Sequence, residues 1–167
     1  MNQTILIKYI NTPIGIITAG STDKGICMLE FGEKTEFKTN LNYQSKKGTN
    51  QFIKKLEKQL PEYFNKERTE FDVPLDLIGT DFQISVWKEL LTIPFGSTRT
   101  YKEQAIAISN LKAIRAVASA NGANRIPIVI PCHRIISSDG SLTGFSGGLW
   151  RKKFLLDLES DQISLFN

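Results

Sequence analysis

The chain has 167 residues, 41% of them hydrophobic and 23% charged, with a formal net charge of +4. That composition fits one globular domain of ordinary size or two small ones. It leaves out a membrane span, because no stretch approaches the roughly 18–20 apolar residues required. It also leaves out a disulfide framework and a zinc site, because two cysteines and one histidine cannot supply the ligands.

The opening residues, MNQTILIKYINTPIG, carry no charged region followed by a long apolar run, so a reduced, cytosolic setting is expected. TILIKYI and GIITAG read as strands separated by the turn signal Asn11-Thr12-Pro13. Asp23-Lys24-Gly25 is a second turn before the strand-like ICMLEF, giving an antiparallel meander. Cys27 lies in that third strand among apolar residues and reads as a packed core thiol. Phe52, Ile53, Leu56, Leu60 and Phe64 recur at helical spacing, and FDVPLDL returns to an extended form.

After Gly79 the character changes. Thr80 and Asp81 cap a helix over about 82–91, with Ile84, Trp87, Leu90 and Leu91 on one face. Thr100-Tyr101-Lys102-Glu103 is a capping box opening a short helix to about Ile108. The next helix, LKAIRAVASAN, ends at Asn121-Gly122. Its stripe Leu111, Ile114 and Ala118 is expected to face the core, with Lys112, Arg115 and Ser119 on the neighbouring, outward stripe. Two short helices joined by a tight turn match a helix-turn-helix. From Phe82 to Leu156 there are 10 basic and 3 acidic residues, a net of +7, against +1 for residues 1–79. Such a basic segment points to a polyanion, nucleic acid first. A glycine-rich loop, GSLTGFSGG, lacks the lysine of a phosphate-binding P-loop and fits a wall around a ligand better. The last helix, from Leu149 to about Leu158, is expected to bury Leu149, Phe154, Leu155 and Leu158.

The chemistry-bearing stretch is IPIVIPCHRIIS, in which an apolar run between two prolines reads as a buried strand ending at Cys132, His133 and Arg134. A thiol attacks as its thiolate, and a neighbouring base or cation lowers its pKa. His133, the one histidine of the chain, needs an acceptor to orient it, and Glu159, Asp139 and Asp157 are all candidates on sequence grounds. On an extended chain Cys132 and His133 point to opposite faces, so a turn or a bridging water is required for them to cooperate.

IPIVIPCHRII resembles the active-site signature of the O6-alkylguanine-DNA alkyltransferases, also called methylated-DNA–protein-cysteine methyltransferases. NTPIG and DKGICMLEF look like that family's N-terminal domain, and LPEYF and FDVPLDLIGTDFQISVWKELLTIPFGSTRTY like its connector and following helices. RAVASANGAN, PCHR and GFSGG look like its DNA-binding helix, reactive site and pocket loop.

The resemblance implies an α/β fold: a small ribonuclease H-like domain over residues 1–79, then a mainly helical winged helix-turn-helix domain over 80–167 that binds DNA and accepts the alkyl group. It implies that Cys132 is the acceptor, that His133 activates it with Glu159 behind, that Asn124 holds the active-site turn, and that Tyr101 protonates the leaving base. Arg115 would fill the space of a flipped base, with Lys112, Ser119 and Thr100 on the DNA side. Ser146, Phe145, Asn121, Ile135 and Gly147 would form the pocket. The partner is then alkylated double-stranded DNA, the protein a monomer that uses no cofactor, metal or membrane, and its location the cytoplasm of a prokaryote or the nucleus of a eukaryote. Two departures stand out: Phe145 where many relatives carry Tyr, and Arg125 where Pro is usual. The other classes are a cysteine hydrolase, which would turn over repeatedly, and a DNA-binding regulator, which would leave Cys132 unchanged.

Overall fold

The computed structural model describes residues 3–39 and 41–160, which divide into two compact units, Met1–Ile78 and Gly79–Asn167. The final stretch of the second expected domain, residues 161–167, lies outside the described residues.

The first unit is a four-stranded sheet in the order β3-β2-β1-β4. β1 (Gln3–Thr12) and β2 (Gly15–Ser21) form an antiparallel hairpin, and β3 (Ile26–Phe31) extends it. Alternation along β1 buries Ile5, Ile7 and Ile10, the period-2 pattern of a strand covered on one face. Cys27 is fully buried beside Met28, Ile5 and Ile7, as a core thiol. β4 (Tyr43–Lys47) adds in parallel to β1 and was not legible in the sequence: its residues, YQSKK, have no apolar alternation. It is held by pairing with β1, by Tyr43 packed on Phe37 and the core, and by Ser45 accepting the Phe37 N–H. FDVPLDL contributes only an isolated bridge, Leu75 to Ile26. Helix α1 (Gln51–Phe64) is capped by Asn50, whose side chain accepts the N–H groups of Phe52 and Ile53 at 3.1 and 3.0 Å. It packs Ile53, Leu56, Leu60 and Tyr63 inward against β1 and β2.

In the second unit α2 (Asp81–Leu90) opens on a reciprocal capping box between Thr80 and Gln83. It buries Val86, Trp87 and Leu90, while Leu91, expected on the same face, is exposed just past the helix end. A two-residue strand, β5 (Arg99–Thr100), runs into α3 (Tyr101–Ala107), where Thr100 Oγ1 accepts the Glu103 N–H at 3.1 Å. A single 3₁₀ turn at Leu111–Ala113 then leads into α4 (Ile114–Gly122). β6 (Ile135–Ile136) pairs in parallel with β5, and α5 (Leu149–Glu159) closes the unit.

Three expectations are corrected here. α4 buries Val117, Ala120 and Asn121, whereas Leu111, at 51% exposure, and Ile114 and Ala118 face outward. Both sides of this helix carry small or apolar residues, so periodicity could not choose. The choice is made by packing on α2, where Trp87 Nε1–H donates to the Ala120 carbonyl at 2.9 Å. Second, α5 buries Lys152, Leu155 and Glu159, while Leu149 and Phe154 are exposed and Leu158 is half-buried. Two charged side chains displace apolar ones because each finds hydrogen-bond partners: Lys152 the Thr143 carbonyl, and Glu159 the buried His133 and Arg134. Third, Ile128-Val129-Ile130 is buried but is a turn, with Pro127 and Ile130 bridged and Ile128 at φ +75°. That is a sparsely populated region for a β-branched residue.

Candidate active site

That turn is held by Asn124. Its Nδ2 donates to the Ile130 carbonyl at 2.9 Å, and its Oδ1 accepts the Ile126 N–H at 3.0 Å. Pro127 and Pro131 bring no N–H of their own, so one carboxamide closes a loop that prolines leave short of donors. The chain then turns through a 3₁₀ segment, Cys132–Arg134, all three residues buried. The turn required for Cys132 and His133 to cooperate is therefore present.

Behind Cys132 lies a buried ionic cluster. His133 Nε2 donates to Glu159 Oε1 at 2.7 Å, and Arg134 donates to both carboxylate oxygens at 2.8 Å. Arg134 Nη1 also donates to the Ile93 carbonyl at 2.6 Å. Of the three acceptors open to His133 on sequence grounds, Glu159 is the one in place; Asp139 bonds Ser141, and Asp157 bonds Lys153. Burial pushes the Glu159 carboxyl upward, but the His133 and Arg134 hydrogen bonds outweigh it and hold the group down at about 2. Burial dominates at His133 and pushes its pKa below the ordinary value, so the imidazole is neutral. An ionised carboxylate can only accept, so Nε2 carries the proton and Nδ1 is the free base. Nδ1 is buried with no hydrogen-bond partner among the described residues.

The Cys132 thiol is itself pushed up by burial, partly offset by an Asn124 hydrogen bond and the charge of Lys152. The sequence expectation of a lowered thiol pKa is therefore reversed at rest: the sulfur is a protonated thiol that needs a base. Lys152 is the residue that sequence reasoning missed. It is fully buried, its Nζ donates to the Thr143 carbonyl at 2.8 Å, and burial lowers its pKa. The signal was present in its i, i+3, i+7 spacing with Leu155 and Glu159.

Cys132 opens onto a cavity of about 470 Å³ whose walls include Tyr101, Arg115, Asn121, Phe145 and Ser146. That size is in the range of small-ligand sites. Tyr101 donates its hydroxyl to the Thr143 carbonyl at 3.1 Å, so α3 and α5 both tether the glycine-rich loop at one atom. Ile114 and Ala118 line this cavity too, which accounts for apolar residues on an outward stripe. Ile135 is fully buried in β6 and Gly147 is buried just ahead of α5; neither is among the lining residues. Lys112 and Ser119 are exposed on the helix-turn-helix, and Thr100 is half-buried as the α3 cap. A second cavity, about 280 Å³ and lined by Ile7, Lys8, Tyr9, Lys47, Gly48 and Thr49, has no thiol, imidazole or carboxylate among these residues. Among the described residues no group of three or more His, Cys, Asp or Glu side chains is placed to hold a metal.

The model of the 6-O-methylguanine DNA methyltransferase ribonuclease-like domain matches residues 5–77, and that of the DNA-binding domain matches 81–161. The chain belongs to this methyltransferase family. Curated relatives named methylated-DNA–protein-cysteine methyltransferase include one from Methanosarcina barkeri, 44% identical over 92% of this chain and 96% of its own. Another, from Mycobacterium tuberculosis, is 45% identical over 93% of this chain and 92% of its own. The crystal structure of Mycobacterium tuberculosis OGT in complex with DNA aligns with a TM-score of 0.80 and 42% identity, covering 98% of this chain and 99% of that one. The methyltransferase fold thus spans both units.

Proposed function

We propose that the protein repairs DNA by moving the alkyl group of O6-alkylguanine, and of O4-alkylthymine, directly onto Cys132, once per molecule. The observation that carries this is a buried thiol opening onto a base-sized cavity, with a neutral His133 oriented by Glu159 behind it. The target atom lies inside a duplex, so the nucleotide has to leave the stack, at a cost of roughly a few kcal/mol. The exposed α4 stripe supplies the contacts: Lys112, Ser119 and Thr100 on the backbone, and Arg115, at the cavity wall, in the space of the flipped base. His133 Nδ1 takes the thiol proton through one water, and the imidazolium so formed is stabilised by the Glu159 carboxylate. The sulfur attacks the saturated carbon on O6; the S–C bond forms, the C–O bond breaks, and the electron pair leaves with the base. The Tyr101 hydroxyl protonates that base.

The cavity wall at Phe145 brings no hydroxyl, so Ser146 and Asn121 supply its polar contacts, while Ile135 and Gly147 shape it from behind. A thioether has no route back to a thiol here, and the alkylated base is the donor, so neither turnover nor a cofactor enters. In this reading residues 80–167 carry both the DNA contacts and the acceptor, residues 1–79 form the accompanying α/β domain, and the protein acts as a cytoplasmic monomer. Among the described residues no helix is long and apolar enough to cross a membrane.

Intact-protein mass after incubation with excess O6-methylguanine duplex tests this. The expected gain is one methyl group, mapped to Cys132 with Cys27 unmodified. Several turnovers per molecule would indicate the hydrolase alternative, and no mass change the regulator.

A further inference from the structure

α3 and α4 meet through a buried pair of carboxamides. Gln104 Nε2 donates to Asn121 Oδ1 at 2.8 Å, and Asn121 Nδ2 donates back to Gln104 Oε1 at 2.7 Å. Gln104 is fully buried, and Asn121 is 8% exposed, where it lines the cavity that Cys132 opens onto. Two apolar side chains of similar shape would serve the helix contact as well, since replacing both partners of a buried hydrogen bond is nearly neutral for stability. The pair is therefore poorly explained by stability alone, and its position on the cavity wall gives it a different use.

We propose that Gln104 is a positioning residue for recognition of the alkylated nucleobase: it locks the Asn121 carboxamide as a polar wall of the pocket. This rests on the alkyl-transfer reading above. A carboxamide has two N–H donors and two oxygen lone pairs. Pairing uses one of each, leaving Asn121 one N–H and one lone pair for a base. Turning either amide alone would set oxygen against oxygen and N–H against N–H. The two can invert only together, so Asn121 cannot turn alone and its carboxamide is held in one plane at the cavity wall. Without Gln104, Asn121 would rotate freely out of that plane. Gln104 itself touches no substrate and acts only through Asn121.

The test compares three reagents on wild type, Gln104→Leu, Asn121→Leu and the double variant. They are an O6-methylguanine duplex, free O6-benzylguanine, and iodoacetamide, which alkylates the thiol without presenting a nucleobase. Peptide mapping at Cys132 gives each rate. Gln104→Leu is expected to slow both purine reactions by on the order of ten- to a hundredfold and to leave iodoacetamide labelling unchanged. The double variant should be no slower than Asn121→Leu, because Gln104 has nothing to hold once Asn121 is gone. Unchanged purine rates, a parallel fall in iodoacetamide labelling, or additive losses in the double variant would each overturn the proposal. If Gln104→Leu does not fold, the comparison of Asn121→Leu with the double variant decides alone, since both partners are then apolar. A wild type labelled by iodoacetamide but by neither purine would instead sink the alkyl-transfer reading.

Discussion

Glu159→Gln removes one charge from a cluster with no solvent to replace it. The carboxylate accepts from His133 and from both arms of Arg134, and an amide can accept at only one of its two ends, so one donor is left facing another N–H. The depression of Glu159 from an ordinary 4.5 to about 2 corresponds to about 3 kcal/mol of stability at neutral pH. Removing one partner of a buried pair costs a similar roughly 3–5 kcal/mol. The sign follows from the direction of the shift. A depressed carboxyl contributes fully above its unfolded value and loses that contribution as pH falls through the folded one. Urea unfolding of wild type and Glu159→Gln should therefore differ by about 3 kcal/mol at pH 7, and the gap should close between about pH 4.5 and 2. A gap of the same size at both ends of that range, or none at pH 7, would refute the reasoning.

Arg115→Ala should slow transfer from duplex DNA far more than from a free modified base, whereas Lys112→Ala should mainly weaken duplex binding and lower its salt slope by about one; equal effects on the free-base reaction would remove Arg115 from extrusion. Because burial keeps His133 neutral, the free-base transfer rate should hold as pH falls through about 6.5, where an ordinary imidazole protonates, and an inflection there would contradict a buried base. Asn124→Ala should destabilise the protein by about 1–3 kcal/mol by leaving the Ile130 carbonyl and Ile126 N–H without their bonds, and should slow transfer; calorimetry with the same rate assay checks both.

The strands β1 to β3 and the capped starts of α2 and α3 could be read from local pattern, because alternation and capping are set by near neighbours; the role expected of Cys132 came from the resemblance of the motif around it. What could not be read was decided by partners far along the chain. Which face of α4 is inside depends on Trp87, 33 positions before Ala120. That Lys152 and Glu159 outcompete Leu149 and Phe154 for the interior of α5 depends on a loop carbonyl and on His133 and Arg134. The proline-bracketed run looked like a strand because it is apolar and β-branched. Asn124, lying outside it, bends it into a turn. Spacing alone left Glu159, Asp139 and Asp157 open; the resemblance implied Glu159, and the folded chain sets it against His133.

The tether on the glycine-rich loop has a consequence for how this pocket can change over generations. Tyr101 and Lys152 both grip the carbonyl oxygen of Thr143, a main-chain atom. Replacing the Thr143 side chain gives up its hydroxyl contact with Ser137 at 2.9 Å but removes neither of these two bonds to the main chain. Drift at 143, 145 and 146 can therefore reshape the chamber and admit larger or differently polar adducts while the loop keeps its moorings. The glycine at 144 has less latitude: its φ is +59°, and a Cβ there would lie 3.4 Å from the Tyr101 hydroxyl. Variation in substrate range should thus accumulate on either side of Gly144 and spare the two side chains that hold the loop.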